Sequence, residues 1–149
     1  MNNFILKHII RFIVLITIQV LVLNNVLFMG YINPYIYILF LLLLPFDTPR
    51  WLILISAFCL GISVDAFQNS MGIHAFSCVL IAHCRRSILH FLLPQLKNKK
   101  QSYLEFSLQE FGLQRAFIYT SSSVFIHHFS LFILEAFQLE LLSVFLRTL

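Results

Sequence analysis

Charge is what this sequence has least of. Only 11% of its 149 residues are Asp, Glu, Lys or Arg, and only six of those are acidic. Soluble domains carry roughly 25% charged residues, so a water-facing surface cannot be assembled from this composition. A chain of this size leaves much of its surface exposed even when folded, and that surface would here be apolar. Cysteine is scarce as well. Cys59, Cys78 and Cys84 are an odd number set in oily runs, which favours core filling over disulfide pairing. No low-complexity segment, nucleotide-binding loop or internal repeat is present. Glycine numbers only four, yet two of them, Gly61 and Gly72, bracket the acid Asp65 in "CLGISVDAFQNSMGIHAF".

What the chain does have is apolar mass: 60% hydrophobic residues, 17 phenylalanines and a mean hydropathy of +0.89. The lipid bilayer is the solvent that fits, which predicts an all-α integral membrane protein. Only helices and closed barrels satisfy their backbone in lipid, and barrel strands alternate apolar with polar residues. Runs such as "YIYILFLLLLPF" and "FIVLITIQVLVL" are apolar on every side and read as helices. The first run lacks a small-residue cleavage site and is followed by more hydrophobic sequence, so it is expected to be a span rather than a signal peptide.

A span needs about 20 apolar residues. The runs predict one transmembrane domain over residues 1–149, with spans at about 4–23, 34–46, 50–67, 71–93 and 113–137. A sixth is expected to begin near Leu141. Residues 24–33 connect the first two, and Pro34 opens the second in a position suited to a first helical turn. The second run is short and stops at "DTP", a turn signal. "RRSILHFLLPQLKNKK" alternates basic and oily residues, like a helix end turning along an interface. Trp51, Tyr31, Tyr35 and Tyr103 fall near span boundaries, where amphipathic rings anchor.

Lysine and arginine set the expected orientation. With a cytoplasmic N-terminus, Lys7, Arg11, Arg50, Arg85, Arg86, Lys97, Lys99, Lys100 and Arg115 fall on or near the cytoplasmic side. Only Arg147 is left over, and Asp65, Glu135 and Glu140 lie on the far side. The net charge of +4 thus reflects topology and membrane lipid headgroups rather than nucleic acid.

Asp65 then lies near the outer end of the third helix, "QNS" makes the turn, and His74 enters the first turn of the fourth. Two readings stand. Either both residues are hydrated at the interface, or Asp65 accepts hydrogen bonds from the fourth helix's free N–H groups, with Gly61 and Gly72 permitting close approach. Ser77, His74 and Asp65 supply the letters of a hydrolytic triad. They lack an oxyanion hole and any arrangement of nucleophile, base and orienter, so no enzyme is expected. His74 and Cys78 share a helix face at i, i+4, but a second ligand pair is missing, so neither a metal nor a cofactor is expected. "TSSSVFIHHFSLFILEAF" places Ser121, Ser122, Ser123, His127 and His128 in one span, which therefore needs a protected face. That face serves either packing within the bundle, or a partner helix or small ligand, with Glu135 two turns beyond His128 at the mouth.

"LGISVDAFQNSMGIHAFSCVLIAH", about one-sixth of the chain, resembles the signature region of the rod shape-determining membrane protein MreD family. In that family a glycine, an aspartate, a short polar turn and Gly-hydrophobic-His-Ala follow in order. Gly61, Asp65, Gly72, His74 and Ala75 match in order and spacing. The layout agrees too: a short chain, a brief second helix bordered by prolines and a basic cytoplasmic loop. One departure is the final run, which stops before it could cross. The resemblance implies a bundle of five to six transmembrane helices, similar to the substrate-binding component of energy-coupling-factor transporters. It also implies a non-enzymatic bacterial inner-membrane scaffold that binds a bitopic MreC-like protein. Through that protein it would reach the MreB-like filament and the cell-wall synthases of peptidoglycan elongation. The alternative is a substrate-binding component of a vitamin or metal-ion transporter, with a polar outward cavity near Asp65, His74 and Glu135.

Overall fold

The computed structural model describes residues 2–23, 34–92 and 112–148, with helix but no strand among them. The connector at 24–33 and the basic stretch after Leu92, including Lys97 to Lys100, lie outside the described residues, as do Tyr31 and Tyr103. Five helices follow in order: α1 (Asn2–Leu21), α2 (Ile38–Leu42), α3 (Arg50–Gln68), α4 (Ile73–Leu92) and α5 (Leu113–Thr148). Three stretches among the described residues are long and apolar enough to cross a membrane: α3, α4 and Leu113–Gln138 of α5.

The helices pack in a ring. α3 lies on α4, α4 on α5 and α1 on α3, and the short α2 touches both α1 and α5. The core therefore centres on α2, with Tyr37, Leu41, Ala57, Leu60, Cys78, Ile81 and Tyr119 all without exposed surface. The outer faces carry Ile13, Ile55, Phe58, Phe76, Phe125 and Phe132, each more than half exposed. That inversion suits a hydrocarbon solvent, where apolar side chains lose nothing by facing out.

Two expectations change. The run expected to span residues 34–46 is helical only over Ile38–Leu42. Pro34 fixes its entry, and Pro45 has no N–H to continue a helix and biases Leu44 away from the helical region. The break between a fifth span and a sixth near Leu141 is absent. α5 runs unbroken for 36 residues, about 54 Å at 1.5 Å per residue. Gln138 and Glu140 read as a membrane exit, but leaving lipid does not end a helix, and no Gly or Pro interrupts Leu113–Thr148.

The α3–α4 connection is tight. Asn69 ends α3 in the left-handed conformation (φ 57°), donating its N–H to the Asp65 carbonyl, a role asparagine tolerates better than most residues. Met71 (φ 51°) and Gly72 (φ 91°) complete the reversal. Lower down the two backbones nearly touch. A Cβ on Gly61 would fall 2.3 Å from Ala75 Cα and 2.6 Å from His74 O.

Candidate functional site

Two polar clusters sit inside the bundle, one at each end of the broken segment around α2. The first begins with Asp65, which is buried. One carboxylate oxygen accepts from the His74 N–H at 3.0 Å and from the Ser70 hydroxyl at 2.5 Å. The other accepts from the Ala75 N–H at 2.8 Å. These amides are unbonded donors of α4's first turn, where the helix dipole also favours an anion. Of the two readings of Asp65, the geometry takes the second: the carboxylate is a cap, not a hydrated side chain.

His74 turns its ring the other way. Its Nδ1 lies 2.9 Å from the Tyr37 hydroxyl, which lies 2.7 Å from Nε2 of His127. One hydroxyl has one proton, so at most one of the two imidazoles accepts from it. His127 Nδ1 is buried with no hydrogen-bond partner. If Nε2 carries His127's proton, that Nδ1 is a bare lone pair rather than a stranded N–H. The chain then runs from His127 Nε2–H to the Tyr37 oxygen, and from the Tyr37 O–H to His74 Nδ1. Tyr35 covers the cluster, its ring centroid 5.3 Å from His74, 5.7 Å from His127 and 5.6 Å from His128.

The second cluster centres on Arg85, 1% exposed. α2 stops so early that the carbonyls of residues 42–44 have no following backbone N–H, whereas the Pro45 carbonyl accepts from the N–H and the hydroxyl of Thr48. Arg85 donates Nη2–H to the Leu44 carbonyl, weaker bonds of 3.4 Å to the Pro45 carbonyl, and Nε–H to the Tyr119 hydroxyl at 2.9 Å. Its guanidinium carbon lies 5.7 Å from the Phe46 ring centroid. The Tyr119 hydroxyl reaches the Leu42 carbonyl at 3.5 Å, and Arg11 donates to the Leu43 carbonyl at 3.2 Å. At the opposite end of α2, Gln19 donates to the Pro34 carbonyl at 3.3 Å and accepts from the Ile36 N–H at 2.9 Å. Irregular backbone at membrane depth survives only when protein groups satisfy it in this way.

The expected site residues therefore divide. Gly61, Asp65, Gly72 and His74 gather at the α3–α4 connection, but only Gly61 admits a close approach: a Cβ on Gly72 would meet nothing within 4 Å, and that glycine serves the turn through its positive φ instead. Ser123 and His127 are buried, with Ser123 donating to the Tyr119 carbonyl at 2.8 Å. Ser122 returns its hydroxyl to the Ile118 carbonyl at 2.7 Å. Ser121, His128 and Glu135 are exposed, so Glu135 does not join His127, and the span has no single protected polar face. The helical period places residues 123, 127 and 130 on one side, and 121, 128 and 135 on another.

Sequence reasoning missed Tyr37, Gln19, Arg85 and Tyr119. A signal existed for Arg85, a cation three turns inside a helix expected to cross lipid, where such residues pair with protein groups. Ser77 donates to the Ile73 carbonyl at 2.9 Å, while Asp65 and His74 engage the partners above, so no triad chain forms among them. Among the described residues no three His, Cys, Asp or Glu side chains converge as metal ligands. No protein-family model, no curated protein and no solved structure matches the chain.

Proposed function

We propose that this protein is a non-enzymatic scaffold of the bacterial cell-elongation complex, an MreD-like inner-membrane protein that holds the single helix of an MreC-like bitopic partner. The observation that carries the reading is the joint use of the residues behind the resemblance. Gly61 admits the α4 backbone, Asp65 caps α4, and His74 reaches across the bundle to Tyr37 and thereby to His127. A motif consumed in holding helices together suits a rigid platform whose business is on its outer surface. The finer architecture belongs to the same proposal: α1 and the broken 34–49 segment complete a bundle similar to the substrate-binding component of energy-coupling-factor transporters. The N-terminus is cytoplasmic. Arg11 and Arg85 meet the same carbonyl end of α2, Arg50 opens α3 and Arg115 lies in the first turn of α5, so described cations gather at one end.

The Tyr35–Tyr37–His74–His127 cluster favours a second reading, a transporter component whose broken helix frames a small-molecule site. Affinity purification in mild detergent separates the two. Recovery of a bitopic extracytoplasmic protein, with altered cell shape on depletion, supports the scaffold. A co-purifying ATPase pair and a vitamin requirement on depletion would replace it with the transporter.

A further inference from the structure

α5 presents polar residues to the outside at strict seven-residue spacing: Gln114, Ser121, His128 and Glu135, all exposed. Between them lie Ile118, Phe125 and Phe132, also exposed. Together the two sets alternate in steps of four and three, the 3.5-residue period of a helix that is wrapped by another. On a straight helix such a seam drifts about 20° per heptad, which a left-handed crossing follows. The buried residues Ala116, Ser123 and His127 lie on the opposite side of α5, so the seam faces away from the bundle.

We propose that this seam seats one membrane-spanning helix of a different protein, which presents hydrogen-bond donors to α5 and a Lys or Arg level with Glu135. The proposal rests on the scaffold reading and specifies its contact. His128 sets the first requirement. Its Nδ1–H donates to the Val124 carbonyl at 3.0 Å, which leaves Nε2 as an acceptor, while the Tyr35 ring beside it holds the imidazole in place. A partner must therefore donate at that layer.

Glu135 sets the second. Gln138, one turn further, lies 3.5 Å from the Met71 sulfur in the α3–α4 turn, so Glu135 sits just inside that end of the crossing. A second copy of this chain inserted the same way would bring Glu135 against Glu135, like charge on like charge. A cation on a different chain matches it. In lipid the apolar layers alone supply little preference for one helix over hydrocarbon, so the polar layers set register.

The test places a benzophenone-bearing phenylalanine at Ile118, Phe125 or Phe132. Control sites are Phe58 on α3 and Phe76 on α4, in living cells. Irradiation at the seam should give one adduct whose cross-linked peptide is the membrane segment of a different protein, with a Lys or Arg facing Glu135. The controls should give lipid adducts only. Glu135→Lys should abolish the Phe132-site adduct, and Lys/Arg→Glu in the partner should restore it. Adducts to a second copy, lipid adducts alone at the seam, or equal protein adducts from the controls would overturn the proposal. If affinity purification still recovers a bitopic partner when the seam gives none, the seam is wrong and the scaffold reading stands. If neither experiment finds a protein partner, both fall.

Discussion

Both carboxylate oxygens of Asp65 accept from the start of α4, so its side chain caps amides nine and ten residues downstream. Asp65→Ala would leave two buried N–H groups and the Ser70 hydroxyl without acceptors, at about 1–3 kcal/mol for an unsatisfied buried group. Asp65→Asn keeps one oxygen and should fall between. Membrane-protein abundance and detergent thermal stability should rank wild type, Asn, Ala in that order, and an Asn variant as weak as Ala would remove the cap argument. Gly61 makes a sharper case. Everything its missing Cβ would strike is backbone, Ala75 Cα and N and the His74 carbonyl. Gly61→Ala should therefore destabilise by roughly 1–3 kcal/mol, the range for overpacking. Ala75→Gly should not rescue it, because removing a methyl from Ala75 moves none of those atoms; recovery in the double variant would mean that the helices can slide apart. Tyr37→Phe tests the third contact. It strips the shared hydroxyl from two buried imidazoles, and a double-mutant cycle with His127→Phe should show clear coupling.

At the scale of elements, the short α2 is the part of the fold that asks most of its surroundings. Its carbonyl end is held by Arg85, Arg11 and Tyr119, and its approach by Gln19. Arg85→Met should cost about 3 kcal/mol, since hydrogen bonds to charged groups contribute about 1.5–3 kcal/mol each and both the Leu44 carbonyl and the Tyr119 hydroxyl lose a charged donor. Arg85→Lys should recover only part of this, because an ammonium lacks the planar fork that serves separate acceptors. Equal stability of the Lys variant and wild type, read by unfolding in mixed micelles, would show that one positive charge suffices. The contrast with Asp65 shows what a sequence makes legible. Asp65 and its amides lie within ten residues, and a carboxylate before a helix start has a local physical meaning. Tyr37 and His127 are 90 residues apart, and nothing in either neighbourhood points to the other. Arg85 read as one more cytoplasmic cation because charge counting sees which end a residue occupies but not whether it faces inward. The broken second span was half legible: its prolines and shortness were visible, but the carbonyls they strand have partners only once the ring closes. α5 was misdivided for a related reason, since hydropathy marks where lipid ends and says nothing about where helical hydrogen bonding ends.

For the molecule as a whole, the open quantity is direction across the membrane, and α5 makes it measurable. Gln138 is level with the α3–α4 turn through Met71, which is 86% exposed. The helix continues for ten more residues to Thr148, about 15 Å past that level. If the cations at the other end face the cytoplasm, the turn and the end of α5 both stand outside. A cysteine introduced at Asn69 or Thr148 should then react with a membrane-impermeant maleimide added to intact cells, and one at Asn98 should react only after the membrane is opened. The parent chain provides the blank, since Cys59, Cys78 and Cys84 lie within the apolar helices α3 and α4, which a membrane-impermeant reagent does not reach. Labelling at Asn98 with silence at Asn69 would invert the bundle, whereas labelling at Asn69 with silence at Thr148 would mean that α5 turns back towards the membrane beyond Gln138. The inverted result would bring Glu135 to the cytoplasmic face and remove an extracytoplasmic protein as the proposed partner that meets it, so this orientation decides from which compartment Glu135 can be reached.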